Sequence, residues 1–439
     1  MSKHLPNTQT ADDAFAETLR AILNHGDKIV AGESKSTGSG KETKEILNFT
    51  QTIDDPKTKV TLNPRRKLNI PAAVARFLWI MAGSDRLADI AFYEPRVSFF
   101  SDDGISVPGS SYGHRILRPR PGLNQLKAVI NRLRKDKYSR RAAIAIYQAE
   151  DAVRESHDIP CAFGIFYHIR EDQLHATTVM RSNNAFTLMP YNVFEFGLLA
   201  EVVAAELDVP LGSLTHSALS MHIYKDDYEA AAAALKEYDE SKPSSADFLD
   251  IPNEPSPLDE IQKLIILEAG IRHGSQGLTG SNIEEWINKG QEKLDPYWAQ
   301  LYYLLLLYVV QRKNIHLQND PSDRQLALDS LQSVIQDPWL DLLPENTFVV
   351  SDSENTEDIS QLELPLFSSN EKIVPLVGTK AHKQLREITG KYELAKNDQV
   401  SWQEFVMLEE RFAVKLAARQ GDELTVKQVN EVLKEFRSK

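Results

Sequence analysis

The sequence predicts an α+β fold, a mixed sheet with helices, over the first half of the chain, followed by an all-α C-terminal region. Three observations predict it. Apolar residues recur at helical spacing up to about residue 133; the period then shortens to that of strands, with a hairpin, between 142 and 224; beyond 257 it is helical again. Between the halves, residues 239–257 hold Pro243, Pro252, Pro255 and Pro257 among serines and acids, and read as an interdomain linker. The expected units are 1–238 and 258–439, the second interrupted by an acidic, Ser-rich break at 351–372.

In chain order, Phe15, Leu19, Ile22 and Leu23 share one face of a helix over 12–25, stopped by Gly26. Lys35 to Lys44 is rich in Gly, Ser and Lys and reads as a loop. Residues 70–83 form an apolar helix ending at Gly83, and Pro108 to Pro121 reads as loop. Leu126, Val129, Ile130 and Leu133 define another helix. Ala142 to Tyr147 is a short strand, and Ala162–Arg170 and Leu174–Arg181 flank Glu171-Asp172-Gln173 as a hairpin. Asn192 to Leu207 is a helix buried on most sides, Thr215 to Tyr224 a strand, and Asp226 to Tyr238 an alanine-rich helix. The second half reads as helices at 258–270, 283–290, 297–312, 324–336, 380–395, 402–419 and 425–437, with Trp286, Tyr297 and Trp298 as core aromatics.

The composition narrows the function classes. The chain has 439 residues, 42% hydrophobic and 26% charged, which is ordinary for a globular protein. A net charge of −13 argues against a broad nucleic-acid surface, so any phosphate site must be a local basic cluster. The single cysteine rules out an intrachain disulfide and fits a reducing compartment. Met1 to Ala11 is polar and does not read as a secretory signal. The longest apolar run, Leu301 to Val310, is too short to span a bilayer and reads as a buried helix. The expectation is a cytoplasmic protein without a membrane anchor, and no metal is called for.

Four local features carry chemistry: Ser139-Arg140-Arg141 at a helix-to-strand turn; Asp158-Ile159-Pro160-Cys161 before a strand; Met180-Arg181-Ser182-Asn183-Asn184 followed by Met189-Pro190-Tyr191-Asn192; and Ser220-Met221-His222-Ile223-Tyr224. Singly, each has an ordinary structural reading. A lone cysteine is usually a core residue, paired arginines a solvated turn, Asn192 a helix cap, and His222 with Tyr224 a structural pair on one strand face.

Together, in this order and spacing, they resemble the thymidylate synthase and deoxycytidylate hydroxymethylase superfamily, over about residues 12–238. Phe77-Leu78-Trp79 with Gly83, Ser101-Asp102-Asp103-Gly104 and Ser111-Tyr112-Gly113 extend the likeness, and Gly40-Lys41-Glu42-Thr43-Lys44-Glu45 looks closer to the nucleotide-hydroxymethylase branch. The resemblance implies a thymidylate-synthase-like fold and a homodimer with shared sites. It implies that Cys161 adds to C6 of a pyrimidine, making C5 nucleophilic toward a one-carbon electrophile. A nearby arginine, Arg181, would raise the thiolate fraction. Arg181 and Ser182 match phosphate ligands, and Arg140 and Arg141 match the pair that reaches the partner's phosphate. His222 and Tyr224 match the ribose ligands, and Tyr112 the tyrosine that aids proton removal from C5. Asn192 matches the base reader: its amide can accept from uracil N3–H and donate to O4, which tilts the substrate toward dUMP or UMP, although a flipped amide would pair with dCMP or CMP.

The departures cluster on the side where the family binds 5,10-methylenetetrahydrofolate. Arg76 stands in place of a catalytic glutamate, Asn184 in place of a folate-contacting aspartate, and Leu188 in place of a glycine that admits the pterin. Ser98 and Ser101 fall where tryptophans would, and the N-terminal phosphate arginine is replaced by Ser36 or Ser39, with Lys35 and Lys41 nearby. The expected function is a pyrimidine nucleotide C5 methyl- or hydroxymethyltransferase. The alternative is a folate-independent nucleotide-binding or sensing protein on the same fold. In the second half, residues 361–367 (Gln-Leu-Glu-Leu-Pro-Leu-Phe) resemble the short motif by which bacterial proteins bind the replication sliding clamp; a hydrophobic latch on the protein's own surface is the preferred reading.

Overall fold

A computed structural model describes residues 5–30, 42–66, 68–240, 248, 250–311, 321–344 and 346–350. The helices expected at 380–395, 402–419 and 425–437, the acidic break and the motif at 361–367 lie outside the described residues.

Helix α1 (Ala11–His25) opens with a capping box: Thr10 Oγ1 accepts from the Asp13 N–H at 3.1 Å, and the Asp13 carboxylate accepts from the Thr10 N–H at 3.2 Å. Its apolar stripe is buried as the spacing predicts. Strands β1 (Asp27–Val30) and β2 (Glu42–Ile53) follow, then α2 (Ile70–Ala82), capped by Asn69 and closed by Gly83 at φ 62°. Next come α3 (Leu87–Ala91), α4 (Tyr112–Leu117), α5 (Gln125–Lys135), β3 (Ala143–Ala145), β4 (Ala162–Arg170), β5 (Gln173–Met180) and β6 (Asn183–Asn184). Then come α6 (Met189–Glu206), β7 (Leu211–Tyr224) and α7 (Tyr228–Glu240). The described C-terminal part is helical: α8 (Pro257–Gly274), α9 (Ile283–Lys293), α10 (Pro296–Gln311) and α11 (Pro321–Val334).

The strands form one mixed sheet in the order β1-β2-β7-β5-β4-β3, with β6 added to β7. The β5–β7 and β6–β7 pairs are parallel and the others antiparallel. The β4–β5 hairpin turns at Glu171 and Asp172, both at positive φ (50° and 61°), the backbone of a tight two-residue turn.

Three differences from the sequence reading stand out. The proline- and glycine-rich stretch 108–121 contains α4, because Ser111 Oγ accepts from the His114 N–H at 3.1 Å and starts a helix there. Its Gly113 is required: a Cβ would lie 1.9 Å from the Ile80 carbonyl oxygen of α2. β2 was not anticipated, and it takes in residues 42–44 of the expected loop; its in-out alternation is interrupted at Asn48, which adopts φ 51°. β3 is shorter than 142–147.

The buried residues of α1, α2, α6 and the sheet join those of α8 to α11 in one continuous apolar cluster. α2 packs against α8 and α10, and every residue from Leu301 to Val310 is buried. Trp298 and Tyr297 are core aromatics as expected, while Trp286 is partly buried beneath Lys289. Within 239–257, Phe248 and Ile251 are buried, and Phe248 meets Trp339 edge-on at 4.9 Å. No helix among the described residues is long and apolar enough to cross a membrane.

Candidate functional site

Loops at the ends of β5 and β7 and the first turn of α6 meet α2, α4 and the segment 94–100 around a cavity of about 390 Å³, within the span of roughly 300–1,000 Å³ usual for small-molecule sites. Cys161, Tyr112, Arg181, Ser182, Asn184, Leu188, Asn192, His222 and Tyr224 all line it, as does Arg76. Arg140 and Arg141 do not; they are exposed on the turn between α5 and β3, beside a separate shallow depression.

The Cys161 loop is anchored from below. The buried Asp158 carboxylate accepts from the Ser110 N–H at 2.7 Å and from the Gly109 N–H at 2.5 Å. Gly109 permits this approach, since a Cβ there would lie 1.9 Å from the Asp158 carbonyl oxygen. Arg181 ties down the other side. Its backbone N–H donates to the Cys161 carbonyl at 2.7 Å, and its side chain donates to the Pro160 carbonyl at 2.8 Å and the Ile159 carbonyl at 3.0 Å, with Nη2 3.8 Å from the sulfur. The expectation that Arg181 would favour the thiolate is outweighed: burial pushes the Cys161 thiol up, Arg181 pulls it down, and Asp158 adds to the rise.

Ser182 Oγ lies 3.4 Å from His222 Nδ1, and the His222 and Tyr224 rings meet edge-to-face at 5.1 Å. Burial lowers the His222 pKa to about 4, so its ring is neutral at physiological pH, and raises Tyr224 to about 12. Burial also drives Tyr112 well above the usual phenol range, helped by Cys161 and Glu195; it stacks on Phe196 at 6.0 Å and stays protonated.

Arg76 is bound by two carboxylates that sequence reasoning missed. Nη1 donates to Glu94 Oε2 at 2.7 Å, and Nε donates to Glu195 Oε1. Burial would weaken the guanidinium's hold on its proton, but Glu195 and Glu94 more than offset this, so Arg76 is a fixed cation. Burial pushes the Glu195 carboxyl up against the opposing pull of Arg76. A signal was available: Arg76 is the one charge in the otherwise apolar α2, and Glu195 sits in an apolar stretch of α6, a pattern that demands a partner. Arg96, Phe100 and His157 also line the cavity without having been singled out, and so does Asn183, which the sequence offered only as part of the Arg181 motif.

Asn184 Oδ1 accepts from the Phe186 and Thr187 N–H groups at 3.0 Å each, holding the loop before α6, which Arg66 also grips through the Phe186 carbonyl at 2.8 Å. Ser98 and Ser101 donate to the Pro95 and Ser106 carbonyls and do not line the cavity. An apolar wall nevertheless remains, made by Trp79, Val97, Phe100 and Leu188. Two buried donors on cavity-lining residues, Trp79 Nε1 and Asn184 Nδ2, bond no described group. An apolar wall with orphan donors fits a flat heterocycle with acceptors on its edge.

A family model described as thymidylate synthase matches residues 13–262. The chain is 34% identical over 218 residues to a deoxyuridylate hydroxymethyltransferase of Delftia phage PhiW-14, covering 45% of this chain and 59% of that protein. It is 27% identical over 231 residues to a deoxyuridylate hydroxymethyltransferase of Bacillus phage SP01, covering 49% and 57%. The chain thus spans under two thirds of the length of both relatives. The thermostable thymidylate synthase A of Bacillus subtilis is similar over 52% of this chain and 84% of its own, at 18% identity and a TM-score of 0.45.

Proposed function

Because this chain belongs to the thymidylate synthase family, we propose that it transfers a one-carbon unit to C5 of a uridylate-type nucleotide through covalent addition of Cys161 to C6. The observation that carries this reading is the convergence of Cys161, Arg181, Asn192, His222 and Tyr224 on one cavity from four separate elements. Addition of the sulfur to C6 leaves an enolate equivalent at C5; C5 attacks the one-carbon electrophile, the C5 hydrogen leaves as a proton and the bond to the carrier breaks with its electrons going to the carrier, water adds its hydroxyl to the transferred carbon, and the sulfur is expelled as the C5–C6 double bond re-forms. The neutral Tyr112 phenol handles the C5 proton as a hydrogen-bonding relay, not as a phenolate.

In the family, 5,10-methylenetetrahydrofolate typically supplies the one-carbon unit. Trp79, Val97, Phe100 and Leu188 would hold its flat ring here, with Asn184 Nδ2 and Trp79 Nε1 as edge donors. The likeness to two deoxyuridylate hydroxymethyltransferases supports hydroxymethyl over methyl transfer. We further assign the active form as a cytoplasmic homodimer, in which Arg140 and Arg141 reach the partner's phosphate. Two features support this assignment: both arginines are exposed away from their own cavity, and Phe166 is 37% exposed on the sheet face turned from the core.

The test is release of tritium from C5-labelled dUMP. Wild type is expected to release it, and Cys161→Ser is expected to reduce the rate by at least about a thousandfold. Release that survives in the variant rejects covalent catalysis. A second reading, a nucleotide-sensing protein, is favoured by Arg76, a fixed cation where the family has a proton-moving glutamate. It predicts dUMP binding by calorimetry without any tritium release.

A further inference from the structure

Behind the cavity runs a buried polar chain: Thr178, His216, Asn183, Asn192, Glu195 and Arg76. Asn192 is 3% exposed, Asn183 2%, His216 1% and Glu195 1%, so water cannot substitute for a lost partner. Asn183 Nδ2 donates to Asn192 Oδ1 at 2.9 Å, and Asn192 Nδ2 donates to Glu195 Oε2 at 3.4 Å. A carboxylate has no donor, so Glu195 accepts only the amide's NH₂ side. Turned over, Asn192 would set its carbonyl against the carboxylate and its NH₂ against the Asn183 NH₂. Turning Asn183 over with it would also require the His216 proton to change nitrogens, because Asn183 Oδ1 lies 2.9 Å from His216 Nε2 and His216 Nδ1 lies 2.8 Å from Thr178 Oγ1.

We propose that Glu195 and Asn183 set base specificity by locking the Asn192 amide in a single orientation. In that orientation the remaining lone pair of Oδ1 and the remaining hydrogen of Nδ2 match uracil, which offers a donor at N3 and an acceptor at O4. Cytosine offers an acceptor at N3 and a donor at N4, and would need the amide reversed. Free rotation of an asparagine would tolerate either ring; the two flanking side chains remove that freedom. This deepens the reading above and rests on Asn192 meeting the base edge.

The experiment is calorimetric binding of dUMP and dCMP to the full chain, wild type and variants. Wild type is expected to favour dUMP by at least about a hundredfold. Glu195→Gln, whose Oε1 still accepts from Arg76 while its NH₂ replaces the acceptor facing Asn192, removes the fixed acceptor and is expected to lower that ratio. Asn183→Asp with Glu195→Gln reverses both flanking polarities, and is expected to shift the ratio toward dCMP by a further factor of about ten or more. A packing role alone would weaken both nucleotides together and leave their ratio unchanged. An unchanged ratio in Glu195→Gln, or equal binding of both nucleotides by wild type, overturns the lock while leaving the nucleotide site intact. Binding of neither nucleotide by wild type removes the site and the lock with it.

Discussion

At the scale of single residues, the site is built from groups held neutral or fixed by burial. Cys161 is a thiol pushed above its ordinary pKa, so at neutral pH it carries less thiolate than a free cysteine. Its alkylation by iodoacetamide should therefore keep accelerating as pH rises past the ordinary thiol range. Arg181→Met, which removes the cation pulling the value down, should move the profile further up. A profile centred at or below the free-thiol value would contradict this. His216 behaves oppositely in sign. Its folded pKa of about 4 lies below the ordinary histidine value of 6.5, so the unfolded chain binds the proton first as pH falls. The stability it contributes is complete above about pH 6.5 and is lost toward pH 4, up to about 3 kcal/mol for this one ring. Urea midpoints measured across that window should fall, and His216→Gln should flatten the slope. Much of the cavity lining was legible because its motifs are contiguous, such as Arg181-Ser182 or His222-Ile223-Tyr224. Glu94 and Glu195 were not, because the residue they serve, Arg76, is 18 and 119 positions away in the chain.

At the scale of elements, helices with a clean apolar stripe were read to within a few residues, and the hairpin likewise. β2 escaped because its alternation is broken at Asn48, and α4 because its flanking glycines and prolines outweighed a single serine cap. The segment 87–100, which carries Glu94, Arg96 and Phe100 to the cavity, consists of the short α3 and a 3₁₀ helix at Pro95–Phe100. It is held by the C-terminal helices. Tyr308 of α10 donates to the Phe92 and Tyr93 carbonyls at 3.1 and 3.0 Å, and Arg272 of α8 donates to Asp89 at 2.8 Å and Glu268 at 2.7 Å. Tyr308→Phe should cost about 1 kcal/mol and speed amide hydrogen exchange across 87–100. Arg272→Met strands the buried Glu268 carboxylate and leaves the half-buried Asp89 with only Ser84 among the described residues, and should cost about 3 kcal/mol in chemical denaturation.

At the scale of the whole molecule, the sheet has a covered face and an open one. Phe49, Leu214, His216 and Ala218 point into the core; Thr50, Thr215 and Ser217 alternate with them and face outward. If two such faces meet, each subunit lends arginines to the other. A mixture of Cys161→Ser and Arg141→Ala chains, unfolded and refolded together, should then recover roughly a quarter of wild-type tritium release, because hybrid dimers keep one intact site. Recovery of none would contradict a shared site. The joint between the halves has a further consequence. Lys59 and Glu201 form a buried ion pair at 2.7 Å, Phe248 covers the ammonium at 4.5 Å, and α2 is sandwiched by α8 and α10. Anyone trimming the gene to its recognisable half would strip that cover, and the recombinant fragment should come out of the cell as inclusion bodies.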